Sequence, residues 1–165
     1  MHVEGSATVL GDDIDTDIIF PGRYLAVLKP EEQARHLFEP LGEPMRQKVM
    51  AGGVIAAGWN FGCGSSREHA VTAMIGAGVR LVVAKSFSRI FFRNAVNNGL
   101  AVVMDAGMAG AIAEGDRIVA DLQTGNATVA GAQHRFVPLP AEVLSILVAG
   151  GLWAAKGVPA AQVRA

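Results

Sequence analysis

The chain has a single cysteine, Cys63. A lone cysteine excludes an internal disulfide. It also excludes an iron–sulfur cluster held by this chain alone, since such clusters take about three or four thiolates. It points only weakly to a reducing compartment. Charge of either sign is not in excess: 14 Lys and Arg against 15 Asp and Glu give a net charge of -1, with a pI near 6.4. That balance speaks against electrostatic capture of nucleic acid or of an anionic membrane. No apolar run is long enough to cross a bilayer. Met1-His2-Val3-Glu4 lacks the basic and apolar regions of a signal peptide, so a cytoplasmic protein is expected. No repeat or low-complexity tract stands out. What remains is 165 residues, 51% hydrophobic and 18% charged. We read one domain over 1–165, able to bury roughly 70% of its unfolded surface without staples.

Punctuation by Gly, Pro and Asn divides the chain. Ala7–Leu10 reads as a short strand, followed by an acidic loop over Asp12–Asp17 and a turn at Pro21-Gly22. Pro30–Phe38 reads as a helix, with Glu31 and Glu32 suited to its positive end. Pro40–Pro44 breaks it, and Lys48–Met50 reads as polar and exposed. Gly53–Ala57 is a buried strand, then a glycine-rich loop leads into a helix from Ser65 to about Gly76. Strand Val79–Ala84, helix Ser88–Asn97 and strand Leu100–Met104 complete parallel β-α-β units. From Asp116 the texture alternates, which predicts antiparallel strands through Leu122, over Ala127–Ala130 and over Arg135–Leu139. Pro140–Ala149 closes the chain as an amphipathic helix, with a loosely held tail after Lys156. The fold class is α/β with a β-rich C-terminal part.

The loop Gly58–Gly64 and the residues after it carry the chemistry. Its glycines permit close backbone approach to a ligand. A helix N-terminus behind it offers free N–H groups and positive potential to an anion. Arg67 in the first turn would carry the wrong charge for the helix dipole, which an anionic ligand would explain. Ser65-x-x-Glu68 also matches a capping box, a purely structural use of the same residues. Glu68 reads as structural and His69 as a satisfied core histidine. Arginine at 67 fails both the P-loop and the dinucleotide fingerprints. Cys63 reads as loop packing rather than as a nucleophile.

Three blocks then carry a resemblance: Gly11-Asp12-Asp13-Ile14-Asp15-Thr16-Asp17-Ile18-Ile19, Asn60 to Ala70, and Lys85 to Asn94 with Asn98-Gly99-Leu100. In this order they resemble the small subunits of isopropylmalate isomerase and homoaconitase, which are similar to the swivelling C-terminal domain of aconitase. The resemblance implies a single swivelling β/β/α domain and a hydro-lyase reaction, in which water is eliminated and re-added in the opposite sense. It implies Ser65 as the serine that, as alkoxide, takes a proton from carbon beside a carboxylate. It implies Arg67 as the substrate-carboxylate arginine, Ser66 as a neighbouring hydrogen-bonding serine and Asp17 as a site-lining group. It places no metal and no cofactor on this chain. A [4Fe–4S] cluster is expected on a separate large subunit, which would make a heterodimer or heterotetramer, and its open iron would act as the Lewis acid. Phe87, Phe91 and Phe92 read as core, and Arg89 and Arg93 as facing that partner.

The substrate reading rests on Tyr24-Leu25-Ala26-Val27. In homoaconitase-like members an arginine stands at what we take to be the Ala26 position. Here Ala26 and Val27 suit an isopropyl or methyl group, and a third carboxylate would lack a partner. A small hydroxy-dicarboxylate, 3-isopropylmalate, is therefore favoured, as in leucine biosynthesis. Homocitrate and methyl-substituted malates are the alternatives, with Arg23 and Lys29 as the cations that could undo the argument. A non-catalytic anion-binding module on the same fold is the competing class.

Overall fold

Short β-branched and alanine-rich segments build a seven-stranded mixed sheet. The computed structural model describes residues 1–158. Strands β1 (His2–Val9), β2 (Gly53–Ala57), β3 (Leu81–Ala84) and β4 (Ala101–Met104) form the parallel half. Strands β5 (Arg117–Asp121), β6 (Asn126–Val129) and β7 (Ala132–Arg135) are antiparallel, and the order is β4-β3-β2-β1-β5-β6-β7. Every residue of β2 and β3 is buried, as expected of strands covered on both faces. Their side chains alternate between two cores. Ile55 and Val82 join Phe20, Met74 and Phe91 on one face, while Val54 and Val83 join Met108, Ile118 and Leu147 on the other.

Helices α1 (Thr16–Ile19), α2 (Pro30–Gln33), α3 (Glu43–Gly52), α4 (Glu68–Gly76), α5 (Arg89–Asn97), α6 (Ala106–Ala111), α7 (Ala141–Ala149) and α8 (Leu152–Ala155) supply the rest. Residues of α4 and α5 pack into the first core, those of α6 and α7 into the second. All three resemblance blocks leave the carboxyl ends of parallel strands. They follow β1, β2 and β3 respectively, on the edge where open α/β sheets place ligands.

Several expected boundaries move. Strand β1 begins at His2, because its polar first half pairs with β5 and its second half with β2. The helix over Pro30–Phe38 ends at Gln33 and tightens into a 3-10 turn at Ala34–His36, and Phe38 is left-handed at φ 51°. Lys48–Met50 lies in α3: Lys48 and Met50 are exposed as expected, but Val49 between them is fully buried. Pro44 in the first turn was that helix's start signal. Helix α6 was not anticipated, since Gly107 and Gly110 argue against helix, yet Asp105 caps it at Met108 N, 2.7 Å away. The strand expected over Arg135–Leu139 instead ends at Arg135, as β7 of a hairpin with β6. In the tail, Gly157 N and Val158 N still bond the carbonyls of Ala154 and Trp153. Residues 159–165 of the expected loose tail lie outside the described residues.

Candidate active site

The serine loop is clamped from both sides. Towards the first block, Asp13 N donates to Trp59 O at 2.8 Å, Gly62 N to Ile14 O at 2.8 Å and Thr16 N to Cys63 O at 2.9 Å. The Asp12 carboxylate accepts from Trp59 N, and that of Asp13 from the Asn60 amide at 2.9 Å. Towards the third block, Ser86 Oγ accepts from Asn60 N, and Ser88 Oγ donates to Gly62 O at 2.6 Å. The rings of Phe61, Phe87 and Phe91 pack beneath at centroid separations of 5.2 to 6.0 Å. Gly62 has φ 74°, and a Cβ there would enter the Phe91 ring. The three blocks are therefore one assembly, with a rigid cradle below the serines.

Helix α4 starts at Glu68, not at Ser65. Its N-cap is Arg67, in extended conformation and with no side-chain capping bond. The capping box is not formed: Ser65 and Ser66 lie ahead of the helix, exposed. Among the described residues the Ser65 hydroxyl has no hydrogen-bond partner. Its backbone does: Thr16 Oγ1 donates to Ser65 O at 3.0 Å, from a side chain only 3% exposed. Gly64, at φ 92°, lets the loop pass over Thr16.

Arg67 turns back over α1. Its Nη1 meets Asp17 Oδ1, its Nη2 meets Oδ2 at 3.0 Å, and Nη1 also reaches Phe20 O at 3.4 Å. The Arg67 side chain is 17% exposed and that of Asp17 62%. The Arg67 hydrogen bonds hold the Asp17 carboxyl below the usual carboxylate range, helped by Arg67's charge and the Gly22 amide against some desolvation. Asp15 has a different task, capping α1 at Ile18 N, 2.7 Å away. So the run Asp15-Thr16-Asp17 does three separate jobs. Thr16 was not singled out from sequence, although a threonine inside an acidic motif and beside an apolar Ile18-Ile19-Phe20 run was a signal for a buried polar link.

The remaining expected residues lie around this centre. His69 is half-buried, its ring stacked on Phe20 at 5.7 Å, and lines a surface groove of about 680 Å³ with Leu28, Gln33 and Thr72. Ala26 is exposed and Val27 half-buried. Among the described residues no hydrogen bond joins either to Ser65. Val27 is tied to Gln33, whose Nε2 donates to Val27 O at 2.8 Å. Arg23 pairs with Glu39 and lies over the Tyr24 ring at 4.8 Å, and Lys29 pairs with Glu32 at 3.6 Å. Arg89 and Arg93 are exposed on α5. Burial, then the charges of Asp15 and Asp13, push the Cys63 thiol up, which suits packing and not attack.

The family described as the aconitase C-terminal domain matches residues 14–105, the span that holds Thr16, Asp17, Ser65, Ser66 and Arg67. The chain belongs to that family. Among its relatives, the 3-isopropylmalate dehydratase small subunit 1 of Methanopyrus kandleri is 48% identical, over 91% of this chain and 89% of that protein. The 3-isopropylmalate dehydratase small subunit of Sulfurimonas denitrificans is 42% identical, over 92% and 91%. The crystal structure of 3-isopropylmalate dehydratase (leuD) from Methanocaldococcus jannaschii superposes with a TM-score of 0.87 at 40% identity, covering 95% of this chain and 94% of that one. The α/β fold read from the aconitase-like blocks is thus the observed one. "Small subunit" in the relatives' names implies a larger partner for them.

Within this family member, an iron–sulfur cluster does not fit the residues of the chain itself. Cys63 is the one thiol, and no group of three or more His, Cys, Asp or Glu among the described residues could hold a metal ion. No helix of the described residues is long and apolar enough to cross a membrane.

Proposed function

We propose that this chain is the small subunit of a two-subunit hydro-lyase that interconverts 2-isopropylmalate and 3-isopropylmalate, and that it contributes proton transfer and carboxylate binding to a site completed by the cluster-bearing large subunit. The observation that carries the reading is the state of Ser65. Its hydroxyl is exposed and uncommitted while its backbone is fixed by Thr16, and no cap or fold contact accounts for a serine there.

In this reading the Ser65 oxygen, as alkoxide, accepts the proton from the carbon beside a substrate carboxylate. The electron pair left behind becomes the double bond as the neighbouring hydroxyl leaves with its bonding pair. That hydroxide and the proton taken by Ser65 together make up the one water lost, and re-addition in the opposite sense moves the hydroxyl. Serine is a poor base unless its oxyanion is stabilised by fixed dipoles and positive charge. The free amides at the start of α4 and the Arg67 guanidinium are the groups available. Arg67 would hold the carboxylate with the donor directions left free by Asp17, and Ser66 would add a hydrogen bond. We assign Asp17 to orienting Arg67. Arg89 and Arg93 remain assigned to the partner-facing surface, and the stoichiometry to a heterodimer or heterotetramer. A cytoplasmic location belongs to the same reading, since a soluble partner and a small hydroxy acid meet there.

The apolar character of Leu25, Ala26 and Val27 supports an isopropyl-bearing substrate, and the pairing of Arg23 with Glu39 and of Lys29 with Glu32 adds to it. The test is turnover by this chain mixed anaerobically with a cluster-loaded large subunit, offered 3-isopropylmalate, homocitrate and a dimethyl-substituted malate. Activity on 3-isopropylmalate, lost on Ser65→Ala, is expected. Activity mainly on homocitrate would overturn the substrate, and no activity with a tightly bound partner would overturn catalysis in favour of an anion-binding module.

A further inference from the structure

We propose that Gln33 is a positioning residue that locks the Leu25–Lys29 loop to helix α4, and so holds the alkyl-binding side of the site in register with Arg67. The proposal rests on the functional reading above. Gln33 is 2% exposed, one of three polar side chains so deeply buried among the described residues. Both ends of its amide are used. Nε2 donates to Val27 O at 2.8 Å, and Oε1 accepts from Thr72 Oγ1 at 2.6 Å. The amide orientation is fixed by chemistry, since a carbonyl at Val27 can only accept.

A buried primary amide is costly unless paired, and removing it alone would leave the Val27 carbonyl and the Thr72 hydroxyl without this partner. What glutamine supplies is direction: it fixes one carbonyl of the loop relative to one hydroxyl of α4. That hydroxyl belongs to Thr72, five residues beyond Arg67 on the same rigid element. The surroundings make the link short and stiff. A Cβ on Gly76 of α4 would run into the Pro30 carbonyl, so the backbones of α2 and α4 are in direct contact. At the other end of the segment, Gly22 N donates to Asp17 Oδ1 at 3.4 Å, the same carboxylate that holds Arg67. Residues 22 to 33 are thus referenced to the Arg67 helix at both ends. Gln33 governs the middle, where Ala26 and Val27 would meet the alkyl group.

The experiment compares wild type, Gln33→Leu and Thr72→Val as reconstituted holoenzymes, together with deuterium exchange of each full-length chain. Loss of one or both hydrogen bonds predicts a KM for 3-isopropylmalate raised about five- to thirtyfold, with kcat changed less than about twofold. Preference for the isopropyl over the dimethyl substrate should shrink by a similar factor. Amides of Leu25–Lys29 should exchange faster while those of the β2 and β3 core do not. A merely structural role would lower the melting temperature and leave the KM-to-kcat split and the preference unchanged, and that outcome overturns the proposal. If Gln33→Leu does not fold, Thr72→Val, which removes only the far bond, decides. If the wild-type holoenzyme turns over no alkyl malate, the functional reading fails. The clamp is then judged by exchange alone: faster exchange confined to the loop upholds it, and unchanged exchange overturns it.

Discussion

Arg67 and Asp17 meet in a two-point ion pair that joins the N-cap of α4 to α1, with both guanidinium Nη atoms on the two carboxylate oxygens. The planar fork of arginine suits this geometry and a lysine does not. The pair fixes the plane of the guanidinium, and hence where its remaining donors point. Asp17→Asn keeps the shape and weakens the pull. The expected result is a KM raised roughly tenfold, about 1.4 kcal/mol of lost positioning, with kcat less affected. Arg67→Lys should cost on the order of 100-fold in kcat/KM, since under the proposed role it also removes the fork offered to the substrate carboxylate. Steady-state kinetics of the reconstituted enzyme checks both.

The same pair predicts a pH effect of defined sign. The hydrogen bonds from Arg67 hold the folded Asp17 carboxyl below the usual carboxylate range. A depressed carboxylate contributes stability that is full above the unfolded value and is lost as pH falls through the folded one. At neutral pH the contribution is therefore intact, and it disappears only under strongly acid conditions. Because the Asp17 side chain is 62% exposed, solvent and salt shrink the effect. Urea midpoints of wild type and Asp17→Asn, followed from pH 7 downward at low salt, should converge at the acid end. A gap that widens there would contradict the assignment.

Thr16 holds the carbonyl of Ser65 from a buried position. Thr16→Val preserves volume but leaves that carbonyl without its donor and puts an extra methyl under the loop. A loss of about 1–2 kcal/mol in stability is expected. The catalytic consequence should exceed the structural one, because a small displacement of the serine relative to substrate can cost up to about 100-fold. Comparing the melting temperature with kcat separates the two. Ser65→Ala is the counterpart: its hydroxyl bonds nothing among the described residues, so stability should change by less than about 0.5 kcal/mol while activity is lost.

How far the sequence could carry these assignments differs by residue. The buried strands were legible because a continuous apolar run has few uses other than a covered strand, and Gly53–Ala57 came out with its limits unchanged. The aconitase-like block marked Ser65 and Arg67 as candidates, yet their local geometry was not legible in it. The four-residue pattern from Ser65 to Glu68 looks like a capping box, but Gly64 at φ 92° and the Thr16 bond carry Ser65 away from the helix start. Such a choice is made by tertiary contacts about fifty residues apart in the chain, which local pattern does not encode. Helix α3 was missed for a related reason: only Val49 and Gly52 of its ten residues are buried, so it has no apolar stripe to find. Gln33 was invisible, since nothing in Glu-Glu-Gln-Ala says which polar residue turns inward.

Gly62 offers the sharpest test of the cradle. Its backbone is left-handed, and its Cα lies against the Phe91 ring, which is itself packed on Phe61 and Phe87. Alanine there meets two penalties, positive φ and overpacking of an aromatic cluster. Together they should remove about 3 kcal/mol or more of stability. The flexible neighbour cannot absorb the clash: Phe91 is 2% exposed and its ring is wedged between two others. The loop would have to lift instead, taking Ser65 with it. Gly62→Ala should therefore lower both the melting temperature and the activity. Partial rescue by Phe91→Ala, which removes the Cγ and ring atoms that the new Cβ would meet, would show that the ring contact contributes, whereas no rescue would assign the loss to the backbone angle and the Phe91 Cβ.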